Sequence, residues 1–189
     1  MAKTKTLGPG EIHAALDRLA AAISTRHAAT EKLLLLGIAN GGIELARRLA
    51  TRLAALSSRP SNLAGTLDIS FHRDDINCNP IPKEFAPTHI PADVNGATVI
   101  LVDDVLFSGR TAKAALDELF DHGRPAKVEI AVLADRGGRR LPIAADYTGL
   151  TLPARDDEKV VVHLDPSNPA RDVIQVKTTA SSRKSKAKN

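Results

Sequence analysis

Cysteine occurs once, at Cys78, in a chain of 189 residues. A lone thiol excludes an internal disulfide and leaves no partner for a cysteine-based metal site, which points to a reducing, cytoplasmic compartment. Long apolar runs are missing as well: none approaches the roughly 20 residues that a membrane-spanning helix needs. The opening MAKTKTLGPG is followed by an alanine-rich stretch interrupted by Glu11, Asp17 and Arg18. It lacks the apolar centre of a signal peptide, so secretion is not expected. No internal repeat is visible, which excludes a solenoid or propeller.

What is present fits a soluble globular protein, with 43% apolar and 25% charged residues. The length suits one domain, expected over residues 1–179. The formal net charge of +4 first suggests nucleic acid. However, the last ten residues, ASSRKSKAKN, carry four basic side chains and no acid, and without them the chain is neutral. The basicity belongs to a Ser/Lys-rich tail, 180–189, a composition typical of a solvated, disordered end.

Ile12, Leu16, Leu19 and Ile23 recur at helical spacing and predict a helix over 10 to about 27. KLLLLGI, 32–38, reads as a buried strand running into the tight loop Ala39-Asn40-Gly41-Gly42. Leu45, Leu49, Leu53 and Leu56 mark the next helix, and LAGTLDISF, 63–71, has strand composition. A polar, proline-bearing stretch follows, too long for an ordinary connection. Thr98–Val102 reads as a strand and Thr111–Asp121 as a helix. Further strands are expected near 126–134, 145–150, 159–164 and 172–177. Alternating strands and helices imply an α/β fold, a mainly parallel central sheet with helices on both faces. Its ligand site belongs at the strands' C-terminal ends.

The segment VILVDDVLFSGRT, 99–111, carries the chemistry. Asp103 and Asp104 end a buried strand; a loop, Val105 to Arg110, leads into a helix. Amides in such a loop and at a helix start have no intrahelical partners, and the helix dipole favours an anion there. Gly109 permits the tight turn. Two carboxylates beside a phosphate cradle must face something other than phosphate, namely sugar hydroxyls or a divalent cation. No Walker lysine follows the glycine, which disfavours a nucleoside-triphosphate P-loop. An acidic pair at a strand end is also, in many proteins, no more than a solvated edge.

The segment resembles the phosphoribosyl-pyrophosphate motif of type I phosphoribosyltransferases. That resemblance implies that Asp103 and Asp104 bind the ribose hydroxyls while Phe107, Ser108, Gly109, Arg110 and Thr111 cradle the 5′-phosphate. Ala39, Asn40, Gly41 and Gly42 resemble the family's pyrophosphate loop, although basic side chains are usual where Ala39 and Gly41 stand; an ordinary strand-to-helix turn is the alternative. DISFHRDD at 68–75 and LADRGGRRLPIAADYTG at 133–149 are similar to the pyrimidine-operon attenuation regulator/uracil phosphoribosyltransferase family.

Membership of that family implies a Rossmann-like fold with a flexible hood, about 68–95. The base would sit near Arg136 and Val160–Val162, with Val161 at the centre, and Arg73 would reach in on closure. An arginine between Asp74 and Asp75 serves equally as a surface ion-pair residue worth about 0–1 kcal/mol. The implied partners are phosphoribosyl pyrophosphate, uracil and uridine nucleotides. Mg²⁺ would be bound mainly through the substrate, with no protein residue singled out as its ligand. A homo-oligomer is expected. An mRNA leader is a further implied partner, for which Arg136, Arg139 and Arg140 are the available basic residues. The alternatives are an RNA-binding attenuator with little catalysis and a transferase for another base. Phe107 counts against a 6-oxopurine, because enzymes for those bases usually carry an aspartate there. Among the histidines only His72, beside Arg73, is singled out, and a loop histidine is ordinarily a surface residue.

Overall fold

The computed structural model describes residues 5–57, 63–74 and 86–178. Cys78, Asp75, the whole of the expected tail and the middle of the expected hood lie outside them. The elements run β1 (Lys5–Leu7), α1 (Pro9–Arg26), β2 (Leu33–Ile38), α2 (Gly41–Leu56), β3 (Ala64–Leu67), β4 (Thr98–Leu106), α3 (Arg110–Asp121), β5 (Lys127–Asp135), β6 (Tyr147–Thr151), β7 (Glu158–His163) and β8 (Val173–Thr178). Five strands form a parallel sheet in the order β3-β2-β4-β5-β6.

The period of two in β2 and β4 sorts their side chains into two cores. Leu33, Leu35, Ile100 and Val102 point to one face and pack with Ile12, Leu16, Leu19 and Ile23 of α1 and Leu45, Leu49 and Leu53 of α2. Leu34, Leu36, Val99 and Leu101 point to the other face, towards Ala112, Ala115 and Leu119 of α3. Both faces are covered, so β2 reads as an unbroken apolar run. Leu56, at the end of the α2 periodicity, is 57% exposed and belongs to neither core.

Three features differ from the sequence expectation. β7 and β8 leave the main sheet and pair antiparallel with each other, and β8 also pairs with β1, a three-residue strand that the sequence does not signal. β3 stops at Leu67 because Asp68 turns the chain: its carboxylate accepts the Ser70 amide at 2.9 Å, and its own amide donates to the Thr88 hydroxyl. β4 continues past Val102 to Leu106, held by parallel pairing of Val105 and Leu106 with Ala134 and Asp135 of β5.

A buried polar cluster ties the end of α1 to β5 and β6. Glu129, 1% exposed, lies 2.7 Å from His27 Nε2, 2.8 Å from the Tyr147 hydroxyl and 2.6 Å from Lys127 Nζ. Burial alone would raise the Glu129 carboxyl. Hydrogen bonds from Lys127, Tyr147 and His27 outweigh it and hold the group at about 2, below its ordinary 4.5. A depressed carboxylate contributes stability that is present above pH 4.5 and is lost as the pH falls towards 2; for a shift of this size the contribution is about 3 kcal/mol. Glu129→Gln should therefore unfold at lower urea concentration than the parent at pH 7. That gap should narrow between pH 4.5 and 2, and a gap independent of pH would remove the ionic account.

Candidate active site

A cleft of about 770 Å³ opens at the C-terminal ends of the parallel strands, between them and β7 of the small sheet. Its size is that of a small-molecule site. The end of β4 supplies Asp103 and Asp104, the turn into α3 supplies Ser108, Arg110 and Thr111, and the chain after β2 supplies Ala39 and Gly41. The stretch after β3 contributes Arg73, and β7 contributes Val161. Nine residues expected to form a site, drawn from four separate segments, thus meet in one place.

The turn into α3 is built to leave amides open. Gly109 caps the helix in the left-handed conformation, φ +88°, which favours glycine and offers no capping side chain; the Arg110 amide donates to the Ser108 hydroxyl at 3.3 Å, a long bond. The first turn of α3 carries no acidic residue. The loop is shorter than expected, Phe107–Gly109, because β4 runs to Leu106 and α3 starts at Arg110. The Ser108 carbonyl accepts the amides of Arg140 and Leu141, each at 3.0 Å, so the segment after β5 folds back over the turn. Open amides and a helix dipole directed at the cleft suit a phosphate.

Asp103 and Asp104 are half-buried neighbours. Burial pushes the Asp103 carboxyl well above the usual carboxylate range, and the Asp104 charge adds to that shift. Burial also raises Asp104, against amide hydrogen bonds and the positive charge of Lys159. Asp103 also accepts the Asp104 amide at 3.0 Å. Sugar hydroxyls or a cation beside such a pair would favour its charged form.

Gly41 and Gly42 serve packing as much as ligand approach. A Cβ on Gly41 would lie 2.6 Å from Asp104 Oδ2, and one on Gly42 would lie 1.9 Å from the Val102 carbonyl oxygen. The start of α2 therefore sits directly on β4: a side chain at Gly42 would meet fixed backbone, and one at Gly41 would have to displace the Asp104 carboxylate. The Ala39–Asn40 peptide is cis, and Asn40 lines two smaller recesses beside the main cleft.

Phe107, Gly42, Gly109 and Arg136 do not line the cleft. The Arg136 guanidinium stacks on the Phe107 ring, 3.8 Å from its centre, and donates to the Arg155 carbonyl at 3.0 Å. The backbone at Gly138 passes the ring so closely that a Cβ would come within 2.8 Å of it. The three arginines available for an RNA face are dispersed: Arg136 is buried, Arg139 pairs with Asp135, and Arg140 lines the cleft.

Lys159 and Arg140 are cleft cations that the sequence reading left unassigned to the site. Alternation in β7 was the available signal for Lys159, since it shares a strand face with Val161. Arg110 pairs with Asp74 across the mouth of the cleft, so the acidic neighbour of Arg73 engages the turn into α3.

Comparisons with known proteins agree with this geometry. A family model described as the phosphoribosyl transferase domain matches residues 8–167. The bifunctional protein PyrR of Roseiflexus sp. (strain RS-1) is 43% identical over 184 residues, covering 96% of this chain and all of that relative. The bifunctional protein PyrR of Streptomyces coelicolor is 49% identical over 168 residues, covering 88% of this chain and 85% of its own. Among solved structures, the hypoxanthine phosphoribosyl transferase of Trypanosoma cruzi superposes with a TM-score of 0.64 at 19% identity, covering 93% of this chain and 91% of that one. A hypoxanthine-guanine phosphoribosyltransferase from Bacillus anthracis gives 0.61 at 20% identity, with 84% and 87% covered; at such identities these two speak for the fold alone. From the parallel sheet, the match of the family model over residues 8–167, and relatives of this identity over nearly the whole chain, the protein belongs to the phosphoribosyltransferase family, with the bifunctional PyrR proteins among its relatives.

Proposed function

We propose that the protein transfers the phosphoribosyl group of phosphoribosyl pyrophosphate to uracil, forming uridine monophosphate and pyrophosphate. The observation that carries this reading is the convergence of Asp103, Asp104 and the open turn Ser108–Thr111 in one cleft. The turn takes the 5′-phosphate and the two aspartates take the ribose hydroxyls. Arg73, Arg140 and Lys159 offset the charge of the diphosphate. In the reaction the bond from the anomeric carbon to the diphosphate oxygen breaks, a bond to uracil N1 forms, and the N1 proton passes to solvent.

No covalent nucleophile is needed; positioning and electrostatic stabilisation of an oxocarbenium-like transition state carry the rate. The oxygen donors of Asp103 and Asp104, a partly buried pair in which the Asp104 charge adds to the raising of Asp103, suit Mg²⁺ held mainly by the substrate, where it would neutralise leaving-group charge. The stretch after β3, with Arg73, would close over the site and exclude water.

Phe107 supports a pyrimidine as acceptor. Its ring is covered by Arg136 and offers no group to bond or deprotonate a purine nitrogen. The description of the relatives as bifunctional supports a second role, a response to uridine nucleotides through an mRNA leader. Arg136, Arg139 and Arg140 do not form a shared face for that role.

The deciding experiment is pyrophosphate release from Mg²⁺ and phosphoribosyl pyrophosphate with uracil, hypoxanthine or orotate offered separately. Uracil-dependent release is expected. Turnover with hypoxanthine alone would reassign the base, and no turnover with any base would leave the regulatory role.

A further inference from the structure

Outside the cleft, the stretch after β3 meets the C-terminal end of α3 through a cluster of side chains that the transferase reaction does not use. His72 Nε2 lies 3.2 Å from Glu118 Oε2 and 3.2 Å from Asp121 Oδ2. One ligand atom from each of the three residues lies within 4.8 Å of the other two. Shared between two oxygens of different residues, a ring N–H makes at best a three-centre bond with both arms bent. Equal distances to both describe lone pairs converging on a shared point better than they describe a hydrogen bond. Ligands bound at roughly 2.0–2.1 Å in tetrahedral geometry stand about 3.3 Å apart, which is close to the two separations from His72 Nε2.

The Glu118 carboxylate is also held from behind. Its Oε1 accepts the Thr88 hydroxyl at 2.7 Å and faces His122 Nε2 at 3.1 Å, while Thr88 itself accepts the Asp68 amide at 2.9 Å. Oε2 is thereby left to His72. Outer-shell bonds of this kind orient metal-binding carboxylates. Asp121 is largely exposed and His72 partly so, which gives an ion a way in and leaves its remaining position to water.

We propose that His72, Glu118 and Asp121 form a binding site for a divalent transition-metal ion, Zn²⁺ or a similar borderline ion. An imidazole among the ligands favours such ions over Mg²⁺. Because His72 adjoins Arg73, and α3 begins at the phosphate turn, a bound ion joins the segment carrying Arg73 to the helix that carries the turn. The site is separate from any Mg²⁺ that arrives with substrate.

The test uses the full chain, stripped with chelator and titrated with Co²⁺ in excess Mg²⁺. One equivalent should give the intense visible absorption of a four-coordinate ion, and Zn²⁺ should displace it. His72→Ala, in a loop, should weaken binding at least as much as the roughly 10- to 100-fold typical of losing even an outer-shell partner. Asp121→Asn, nearly isosteric, should weaken it similarly, and His163→Ala, at an exposed strand position, should leave it unchanged. An ion-pair cluster without a metal role would give only weak, six-coordinate Co²⁺ spectra, competed by Mg²⁺ or indifferent to His72→Ala and Asp121→Asn. Any of those results overturns the proposal.

Discussion

Replacing Asp104 with asparagine is expected to lower uracil-dependent turnover by about 10²- to 10³-fold, the scale of removing one preorganised electrostatic contact from a transition state, while raising the melting temperature at pH 7. Asp103→Asn should do the same. The two effects have one cause. Both carboxyls are raised above their ordinary 3.8 in the folded protein, chiefly by burial. For a raised carboxyl, full stability is present below the unfolded value, and it is lost as the pH rises through the folded value. At neutral pH the ionised pair therefore weakens the fold, and asparagine, which cannot ionise, relieves that. The stability advantage of the variants should vanish below about pH 3.8, where both proteins are neutral at this position.

Gly41→Ala reaches the same group by displacement. The new Cβ would lie 2.6 Å from Asp104 Oδ2, and only the end of one side chain has to move. Turnover should fall with the fold retained. Thermal melting across pH and pyrophosphate release are the measurements. An Asp104→Asn protein that turns over at the parental rate, or melts below the parent at pH 7, would sink this account.

The readable parts of the site were those written contiguously. Asp103 to Thr111 combine a buried strand, an acidic pair and a glycine turn within a few residues. Their chemistry depends on backbone amides and strand ends that local sequence determines. Lys159 and Arg140 escaped because their approach to the cleft depends on packing between distant segments. Lys159 arrives on β7, which belongs to the small antiparallel sheet, and no local pattern states which sheet a short strand will join. β1 escaped because three residues, Lys5–Leu7, form a strand only by pairing with β8, some 170 positions away. Arg136 was expected near the base because its neighbours match a family motif; that its guanidinium covers Phe107 is a contact set by the fold of the segment after β5, which no local pattern states. The end of β3 was misplaced because Asp68 competes for backbone amides with its own side chain, a local bond that ends a strand of otherwise suitable composition.

Gly42→Ala should be the most destabilising single-methyl change in the region, costing about 3 kcal/mol or more, the upper range for overpacking. Its added Cβ would lie 1.9 Å from the Val102 carbonyl oxygen and 2.9 Å from the carbonyl carbon. Both are backbone atoms in the middle of a strand paired on both sides, with β2 and β5, so neither can rotate away as a side chain does. Relief requires α2 to lift from β4. Lifting would also give up close packing on β2, where the Gly42 carbonyl approaches Gly37 so nearly that a Cβ there would stand 2.6 Å from it. Lifting α2 would move Gly41 off Asp104, so the damage should extend to turnover at temperatures where the variant remains folded. Gly10→Ala is the matched control: its Cβ would meet nothing within 4 Å, and in the first turn of α1 alanine should be neutral or gain up to about 1 kcal/mol. Urea unfolding of the two variants side by side distinguishes close backbone approach from a general intolerance of alanine. If Gly42→Ala unfolds at the same urea concentration as Gly10→Ala, the contact between α2 and β4 is looser than these distances describe, and the fixed placement of Asp104 against the helix fails with it.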